Sequence, residues 1–513
     1  MAIYIYSIHI EGPTARNRSE AMEAMQLLAA VLAVLALFLA AYWRPRSRHA
    51  HTTRPVPVII EVGDPDVARA LMFDHADFFS NHPDAVLGID FDAGQPKTES
   101  ITSAHYGTLW SALRRNLTVN ILHPSRLGHH VEPIQRDAAE ALVADLSTRV
   151  AGAGEEVAIR ERVYAAVFAT MARLCFGDGV GERDVAVMRR TLHDFFHSNV
   201  DIKLLARSRL ARLVRWRQWR YIIGMRRRLD EVFGPVVEAR RRQSRRSDGG
   251  GGSFSSYLDS LIDLRVPSDS DDSETGGGLG LGARRALRDD EVVRLVWEFL
   301  GSSTQAVVSC VEWTLARLVT EPEVQKKLYH ELIAASDHRK GQVSDERLQE
   351  LPYLRAVILE SLRLHPPLPT ILREVGPEGA AAAGAPPPPP DGTPVRFLFN
   401  AGQIGRDRKT WTEDPDEFRP ERFLAGGEGE DVSPLPGPKK IKMMPFGAGR
   451  RHCPGAGLSM IHVGCFVAAL VREFEWAPPA DGGGGVDLTG TNTLFVRMMA
   501  PPLKARITPR TSR

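Results

Sequence analysis

Residues Pro445–Gly455 read PFGAGRRHCPG. Three glycines and two prolines in eleven residues force an irregular, tightly turned loop. An apolar helix, Leu458–Phe474, follows at once, so Cys453 stands just ahead of a helix start with Arg450, Arg451 and His452 beside it. The partial positive charge of a helix N-terminus and the neighbouring cations favour a thiolate. That is the setting of a metal-ligating or nucleophilic sulfur. The spacing of His452, Cys453 and Cys465 matches none of the usual zinc patterns. Cys175, Cys310 and Cys465 lie in apolar helical runs, as buried inert thiols do.

The chain around this loop has 513 residues, 43% hydrophobic and 25% charged, with a formal net charge of +2. That length is ample for one large core or up to about three smaller domains. The near-zero charge gives no overall field for nucleic acid. Four scattered cysteines exclude a disulfide framework and fit a reducing, cytosol-facing environment. Near the N-terminus, Leu27–Trp43 (LLAAVLAVLALFLAAYW) carries no charge, and Ala24–Gln26 extend it. About 17–20 residues at 1.5 Å each cover the bilayer hydrocarbon. Arg44, Arg46, Arg48 and Arg54 follow, so the positive-inside rule places the C-terminal bulk in the cytosol. The reading is a leader at 1–23, a single-pass transmembrane signal anchor at 24–43, a shortened linker at 44–55 and one domain at 56–513.

That domain reads as mainly α with small β-sheets. Val56–Val62 is a strand, and Pro65–Phe73 a helix starting behind Asp64. Helical patterns recur at Thr108–Leu122, Glu132–Thr148, Glu156–Cys175, Tyr221–Arg242 and Tyr257–Leu264. The segment Arg207–Arg246 is crowded with arginine, a solvated helix face or a surface for anionic lipid. The long helix Asp290–Thr320 carries an apolar stripe interrupted by Gly301–Ala306, which is small and polar. Something flat or wet passing close to this helix explains such a patch; a tolerated kink explains it equally. Leu351–Leu364 is a helix in which Glu360 and Arg363 share a face and can pair. Arg422, in Pro420–Phe423, can complete a buried network with them.

Taken together these motifs resemble the cytochromes P-450. The loop matches F-x-x-G-x-R-x-C-x-G at Phe446, Gly449, Arg451, Cys453 and Gly455. E-x-x-R falls on Glu360 and Arg363, P-E-R-F on Pro420–Phe423, and W-x-x-x-R on Trp110 and Arg114. Several stretches are similar to plant microsomal members that oxidise fatty acids and related lipids. The resemblance implies a haem-thiolate monooxygenase with haem b, reduced by NADPH through a reductase at the endoplasmic reticulum membrane. It makes Cys453 the axial iron ligand, and Trp110, Arg114, Arg373 and Arg451 the holders of the haem propionates. Phe446 packs near the sulfur, and Glu360, Arg363 and Arg422 form a structural triad. Leu368–Ile371 and Thr493–Leu494 would meet a small lipophilic substrate. Lys439, Lys440, Lys442 and Arg450 would face an acidic flavin-bearing reductase.

Two departures modify these expectations. The family's distal helix carries an acid–alcohol pair that relays protons; here those positions are Gln305 and Ala306, flanked by Thr304 and by Ser302 and Ser303. Glutamine does not hold a proton as a carboxylic acid does, and alanine has no hydroxyl. Thr304 or an ordered water substitutes, or coupling is poor. The substitution also admits an isomerase or dehydratase of lipid hydroperoxides, and a catalytically impaired haem-binding protein. Family members also place a hinge, a helix and a strand between the anchor and the segment at Asp64–Pro65; only the dozen residues 44–55 stand here. A truncated or decayed gene lacking the membrane-proximal sheet and part of the access channel is the corresponding expectation.

Overall fold

The computed structural model describes residues 58–83, 98–127, 131–149, 155–198, 205, 209–245, 256–268, 284–336, 345–385, 395–480, 485–493 and 496–510. The leader, anchor and linker readings lie outside these residues. In chain order the main elements are β1 (Val58–Val62), α1 (Pro65–Arg69), α2 (Thr108–Asn120), α3 (Glu132–Arg149), β2 (Glu155–Ala158), α4 (Arg160–Phe176) and α5 (Glu182–Phe196). There follow α6 (Trp216–Ser244), α7 (Tyr257–Asp263), α8 (Asp289–Thr320), α9 (Pro322–Ala335) and α10 (Pro352–Leu364). β3 (Thr370–Val375), β4 (Val395–Asn400), α11 (Ala456–Glu473), β5 (Phe474–Ala477) and β6 (Lys504–Pro509) complete the set. The fold is mostly helical with small sheets, as the sequence pattern indicates.

The axis of the helical part is α8. Its 32 residues span about 48 Å, and it is buried on nearly every face from Glu291 to Val319. A helix that is apolar all round belongs in the middle of a core, and α4, α6, α10 and α11 pack around it. Among the described residues α11 is the one helix long and apolar enough to cross a membrane. It is a core helix, packed on α3, α8 and α9, and it carries the cysteine loop at its N-terminus.

The first sheet has the order β1–β4–β3. β1 runs parallel to β4, from Val58 opposite Val395 to Val62 opposite Phe399, and β3 runs antiparallel to β4. The sheet has three strands with β1 at one edge, and the segment expected to be missing before β1 lies outside the described residues. A small second core lies against it, in which Phe79 meets Phe397 edge-to-face at 4.9 Å and Met444 and Ala448 of the cysteine loop take part. The loop is therefore clamped between the helical core and this sheet.

The second sheet corrects a boundary. Glu156–Cys175 is not one helix: Glu155–Ala158 is extended and pairs with β6, Lys504 opposite Ala158, and the helix begins at Arg160. It ends at Gly177, whose φ of 68° favours glycine. The reading also omits α5 and α9. Pro322, just past the end of α8, starts α9, because proline at the first turn forgoes an N–H that has no partner there. Likewise α11 stops at Glu473, and Phe474 opens β5. The helix predicted over Pro65–Phe73 runs as α1 and then as a π-helical turn, Ala70–Asp74.

Candidate active site

The loop before α11 owes its shape to close contacts. Gly447 and Gly449 have φ of 72° and 68°, and a Cβ at Gly449 would stand 2.5 Å from the carbonyl oxygen of Met72 in the π-helical turn. Cys453 donates its backbone N–H to the Phe446 oxygen at 2.8 Å, closing the turn. The Cys453 thiol is buried, and burial pushes its pKa up; the Gly455 N–H and the charge of Arg114 act the other way. The two flanking arginines are engaged elsewhere. Arg450 turns outward to Asp77, 2.6 Å away. Arg451 turns away to backbone oxygens: Ser80 at 2.6 Å, Ile101 at 3.2 Å, and Ala104.

Beside the loop lies a cluster of cations, Arg373 and Arg451 buried and Arg114 half-buried. The Arg451 guanidinium sits 4.8 Å from the Trp110 ring centre and that of Arg114 5.8 Å. Arg373, 1% exposed on β3, gives one hydrogen bond to the Leu372 oxygen at 3.0 Å. Burial, then the charge of Arg451, drives its pKa from 12.5 to about 9. Arg451 falls to about 10 through burial and then Arg114. The Trp110 Nε1 and Arg373 Nε atoms are buried without a hydrogen-bond partner among the described residues. His82, which sequence reasoning missed, packs here too. Its Nδ1 lies 3.0 Å from the Thr102 oxygen, and burial followed by the Arg373 charge pushes its pKa down to about 3. The ring is neutral, so Nδ1 donates. A cluster of guanidinium groups and an idle indole N–H are the donors an anionic ligand requires.

On the distal helix α8 the predicted residues part company. Ser302, Ser303 and Ala306 keep some exposure, whereas Thr304 and Gln305 are buried at 0% and 1%. Ser302 and Ser303 spend their hydroxyls on the oxygens of Glu298 and Phe299, both at 2.6 Å. Thr304 Oγ1 and both polar atoms of Gln305 lack partners among the described residues. Gly301 has a plain explanation. A Cβ there would stand 2.2 Å from the Phe196 ring, so the flat object passing this helix is the phenylalanine that ends α5.

Glu360, Arg363 and Arg422 meet as a buried network, each fully inaccessible. Glu360 accepts from Arg363 Nε at 2.5 Å and Nη2 at 2.7 Å, from the Arg419 N–H at 2.9 Å, and from Arg422 Nε at 3.3 Å. Arg363 also binds the oxygens of Gly405, Pro415 and Glu417, and Arg422 reaches Glu428 and the Asp414 oxygen. Every charge here has an opposite.

A family model described as Cytochrome P450 matches residues 54–498. The chain belongs to the cytochrome P450 family. It is similar to Cytochrome P450 89A9 of Arabidopsis thaliana, 34% identical over 80% of this chain and 76% of that protein. Cytochrome P450 98A1 of Sorghum bicolor is 28% identical over 79% and 75%. Trimethyltridecatetraene synthase of Zea mays is 30% identical over 83% and 75%. As a cytochrome P450 the chain is a monooxygenase, an oxidoreductase, and its family implies haem as cofactor.

The other predicted positions of this cytochrome P450 divide. Leu368 is exposed, and Ile371 reaches the cysteine loop: its Cδ1 would lie 3.6 Å from a Cβ on Gly447. Thr493 donates to the Val496 oxygen, and Leu494 lies outside the described residues. Of the four basic residues near the loop, Lys439 and Lys440 are exposed, but Lys442 binds Asp431 and the Glu428 oxygen. With Arg450 paired to Asp77, half of that cationic surface is neutralised within the chain.

Proposed function

We propose that this cytochrome P450 hydroxylates or epoxidises a lipophilic substrate, such as a fatty acid, with electrons from NADPH passed through a membrane-bound NADPH–cytochrome P450 reductase. Hydroxylation balances as RH + O2 + NADPH + H⁺ giving ROH + H2O + NADP⁺. The observation that carries the reading is the cluster of the buried Arg373 and Arg451 with the half-buried Arg114, and the unpartnered Trp110 indole and Arg373 Nε, beside Cys453. Haem b carries two propionates and an iron, and these donors and this sulfur suit both.

In this reading Cys453 is the iron ligand, with Phe446, Gly449 and Gly455 shaping its loop. Trp110, Arg114, Arg373 and Arg451 hold the propionates. Haem supplies the binding and activation of dioxygen. The protein's own residues do the rest. The Gly455 N–H faces the sulfur and stabilises its negative form. Glu360, Arg363 and Arg422 hold α10 to the Pro420–Phe423 turn, keeping the cysteine loop in register as a structural triad. Ala306, with Ser302 and Ser303, presents the accessible face of α8, while Thr304 and Gln305 act from behind it.

For membrane attachment, the anchor at 24–43 is joined by Leu213, Val214, Trp216 and Tyr221, which are all exposed (Val214 at 72%). Arg212, Arg215, Arg217 and Arg220 lie among them. Apolar tips among arginines suit an anionic lipid surface, and we assign the protein to the endoplasmic reticulum with its catalytic domain in the cytosol.

The test combines two measurements on the purified full chain. Dithionite and carbon monoxide give the red-shifted difference band of thiolate-ligated haem, and NADPH with reductase converts dodecanoic acid to a hydroxy acid. Loss of the band overturns the haem-thiolate reading. Because Ala306 offers no hydroxyl on the accessible face, a second reading stays in view: turnover of a fatty-acid hydroperoxide without NADPH, alongside an intact band, would mark an isomerase or dehydratase. A band with neither turnover marks an impaired haem-binding protein.

A further inference from the structure

A buried polar cluster joins α4, α5 and α8 behind the distal face, and the chemistry above leaves it unused. Tyr164 on α4 is 3% exposed and Gln305 on α8 1% exposed. The Tyr164 hydroxyl, both polar atoms of Gln305 and Nε2 of His197 are buried without hydrogen-bond partners among the described residues. An unpaired buried polar group costs about 1–3 kcal/mol. Several in one place are ordinarily paired through ordered water.

The unpaired atoms are complementary. His197 Nδ1 lies 3.0 Å from the His193 carbonyl oxygen, and a carbonyl only accepts, so Nδ1 carries the hydrogen. In the neutral ring Nε2 is then a bare acceptor. Burial lowers the His197 pKa and raises that of Tyr164, keeping the first ring neutral and the phenol protonated. Tyr164 therefore supplies a donor, and Gln305 supplies two donors and an acceptor. The amide of Gln305 faces the phenol and pulls its pKa down, against the larger effect of burial.

The cluster opens to solvent at its other end. The His193 ring stacks on His197 at 4.1 Å and meets Tyr164 edge-on at 5.3 Å. Its Nε2 lies 3.4 Å from Glu161, whose side chain is 69% exposed against 31% for His193. Exposure falls from Glu161 through His193 to Gln305, from bulk water to the distal helix. The Glu161 hydrogen bond raises the His193 pKa and lowers that of Glu161. Asp194, 3.8 Å from His193 Nδ1, adds to the attraction. The cations facing the group are Arg189, near Tyr164, and Arg160, which is held by Glu312 at 2.8 Å.

We infer that Glu161, His193, His197, Tyr164 and Gln305 line a hydrated proton conduit from solvent to α8, which supplies this enzyme in place of the acid missing at position 305. The inference rests on the monooxygenase reading, whose turnover consumes protons. His193 and Glu161 keep the mouth charged with a mobile proton. Tyr164 hands its hydroxyl proton inward while accepting another, so it never ionises. Gln305 holds no proton; it positions the last water behind Ala306.

The test uses the haem-loaded full chain with reductase, NADPH and dodecanoic acid, comparing wild type with Tyr164→Phe. The expected result is at least a fivefold fall in product per NADPH, with hydrogen peroxide rising to match. Product driven by added hydrogen peroxide, which brings its own protons, stays within twofold. Gln305→Glu in the Tyr164→Phe background restores the ratio by placing an acid at the inner end. Unchanged coupling in Tyr164→Phe, or an equal loss by both routes, overturns the conduit. If wild type makes no product by either route, the monooxygenase reading itself has failed. The conduit is judged independently by a high-resolution crystal structure: waters bridging Gln305, Tyr164 and His197 support it, and a dry cluster refutes it.

Discussion

Replacing Arg373 by methionine should have opposite effects on the haem-free and haem-loaded protein. Arg373 is fully buried, with one hydrogen bond to a backbone oxygen and no carboxylate partner among the described residues. Its pKa drop from 12.5 to about 9 corresponds to a cost of about 5 kcal/mol for holding the charge in the ligand-free fold. Methionine is unbranched and fits irregular cores. It forfeits the Leu372 hydrogen bond, about 1 kcal/mol. The haem-free variant should therefore gain about 2–4 kcal/mol. A carboxylate about 4 Å from the guanidinium repays roughly 4 kcal/mol at an effective dielectric of 20, and the variant loses that gain.

Urea unfolding of haem-free protein reads the first effect, and the rate of haem transfer to an excess of apomyoglobin reads the second. The sign with pH follows from linkage. Well below pH 9 the guanidinium is charged in both states, and the cost is fully present. As pH rises through about 9 the folded form releases its proton while the unfolded chain keeps it. Haem-free wild type should therefore become more stable relative to Arg373→Met as pH rises from 8 to 10. A haem-free variant less stable than wild type, or one that retains haem as well as wild type, would refute the reasoning.

Three further outcomes follow from the packing. Glu360→Gln removes the one carboxylate shared by Arg363 and Arg422, so urea unfolding should show a loss of about 3–5 kcal/mol and little haem-loaded protein should accumulate. Gly301→Ala puts a methyl group 2.2 Å from the Phe196 ring and should cost about 1–3 kcal/mol. Adding Phe196→Leu should recover most of it, and an additive further loss would show that the clash is not the cause. Ala306→Thr returns a hydroxyl to the accessible face of α8, and product per NADPH on dodecanoic acid should rise in the Tyr164→Phe background; no rise there would show that a hydroxyl at this position does not help proton supply.

What the sequence displayed was local. The cysteine loop and the Glu360–Arg363 pair are legible because their geometry follows from a few adjacent residues: glycines at positive φ, and a spacing of three on one helix face. What it hid depends on distant partners. The strand Glu155–Ala158 is too short to show its own period, and it is extended because Lys504–Pro509 pairs with it from the far end of the chain. Gly301 displays the need for space, but Phe196 ends a helix that pattern reading does not pick out. His82 gives no signal at all: a lone histidine joins the cation cluster only when Thr102 and β3 come beside it. At Cys453 the sequence displays adjacency but not direction. Its chain neighbours Arg450 and Arg451 are turned aside by the short 3-10 segment Gly449–Arg451, so adjacency in sequence overstates their charge at the sulfur.

The two buried arginine groups separate support from site on electrostatic grounds alone. Around Glu360 each guanidinium meets a carboxylate, Arg363 with three carbonyls and Arg422 with the Asp414 carbonyl, and Glu428 completes the balance at Arg422. Such a group is satisfied by the chain itself, and removing any member strands a buried charge. Around Trp110, Arg373 and Arg451 have only backbone oxygens as acceptors among the described residues, and the indole N–H has none. That group gains stability when something anionic arrives. A fold that buries Arg373 and Arg451 near Cys453 gains stability when it binds an anionic ligand. Haem binding and folding are then one equilibrium, and substitutions in the two groups must differ in kind. Those at Glu360 weaken the protein with or without haem, whereas those at Arg373 change sign between the two states.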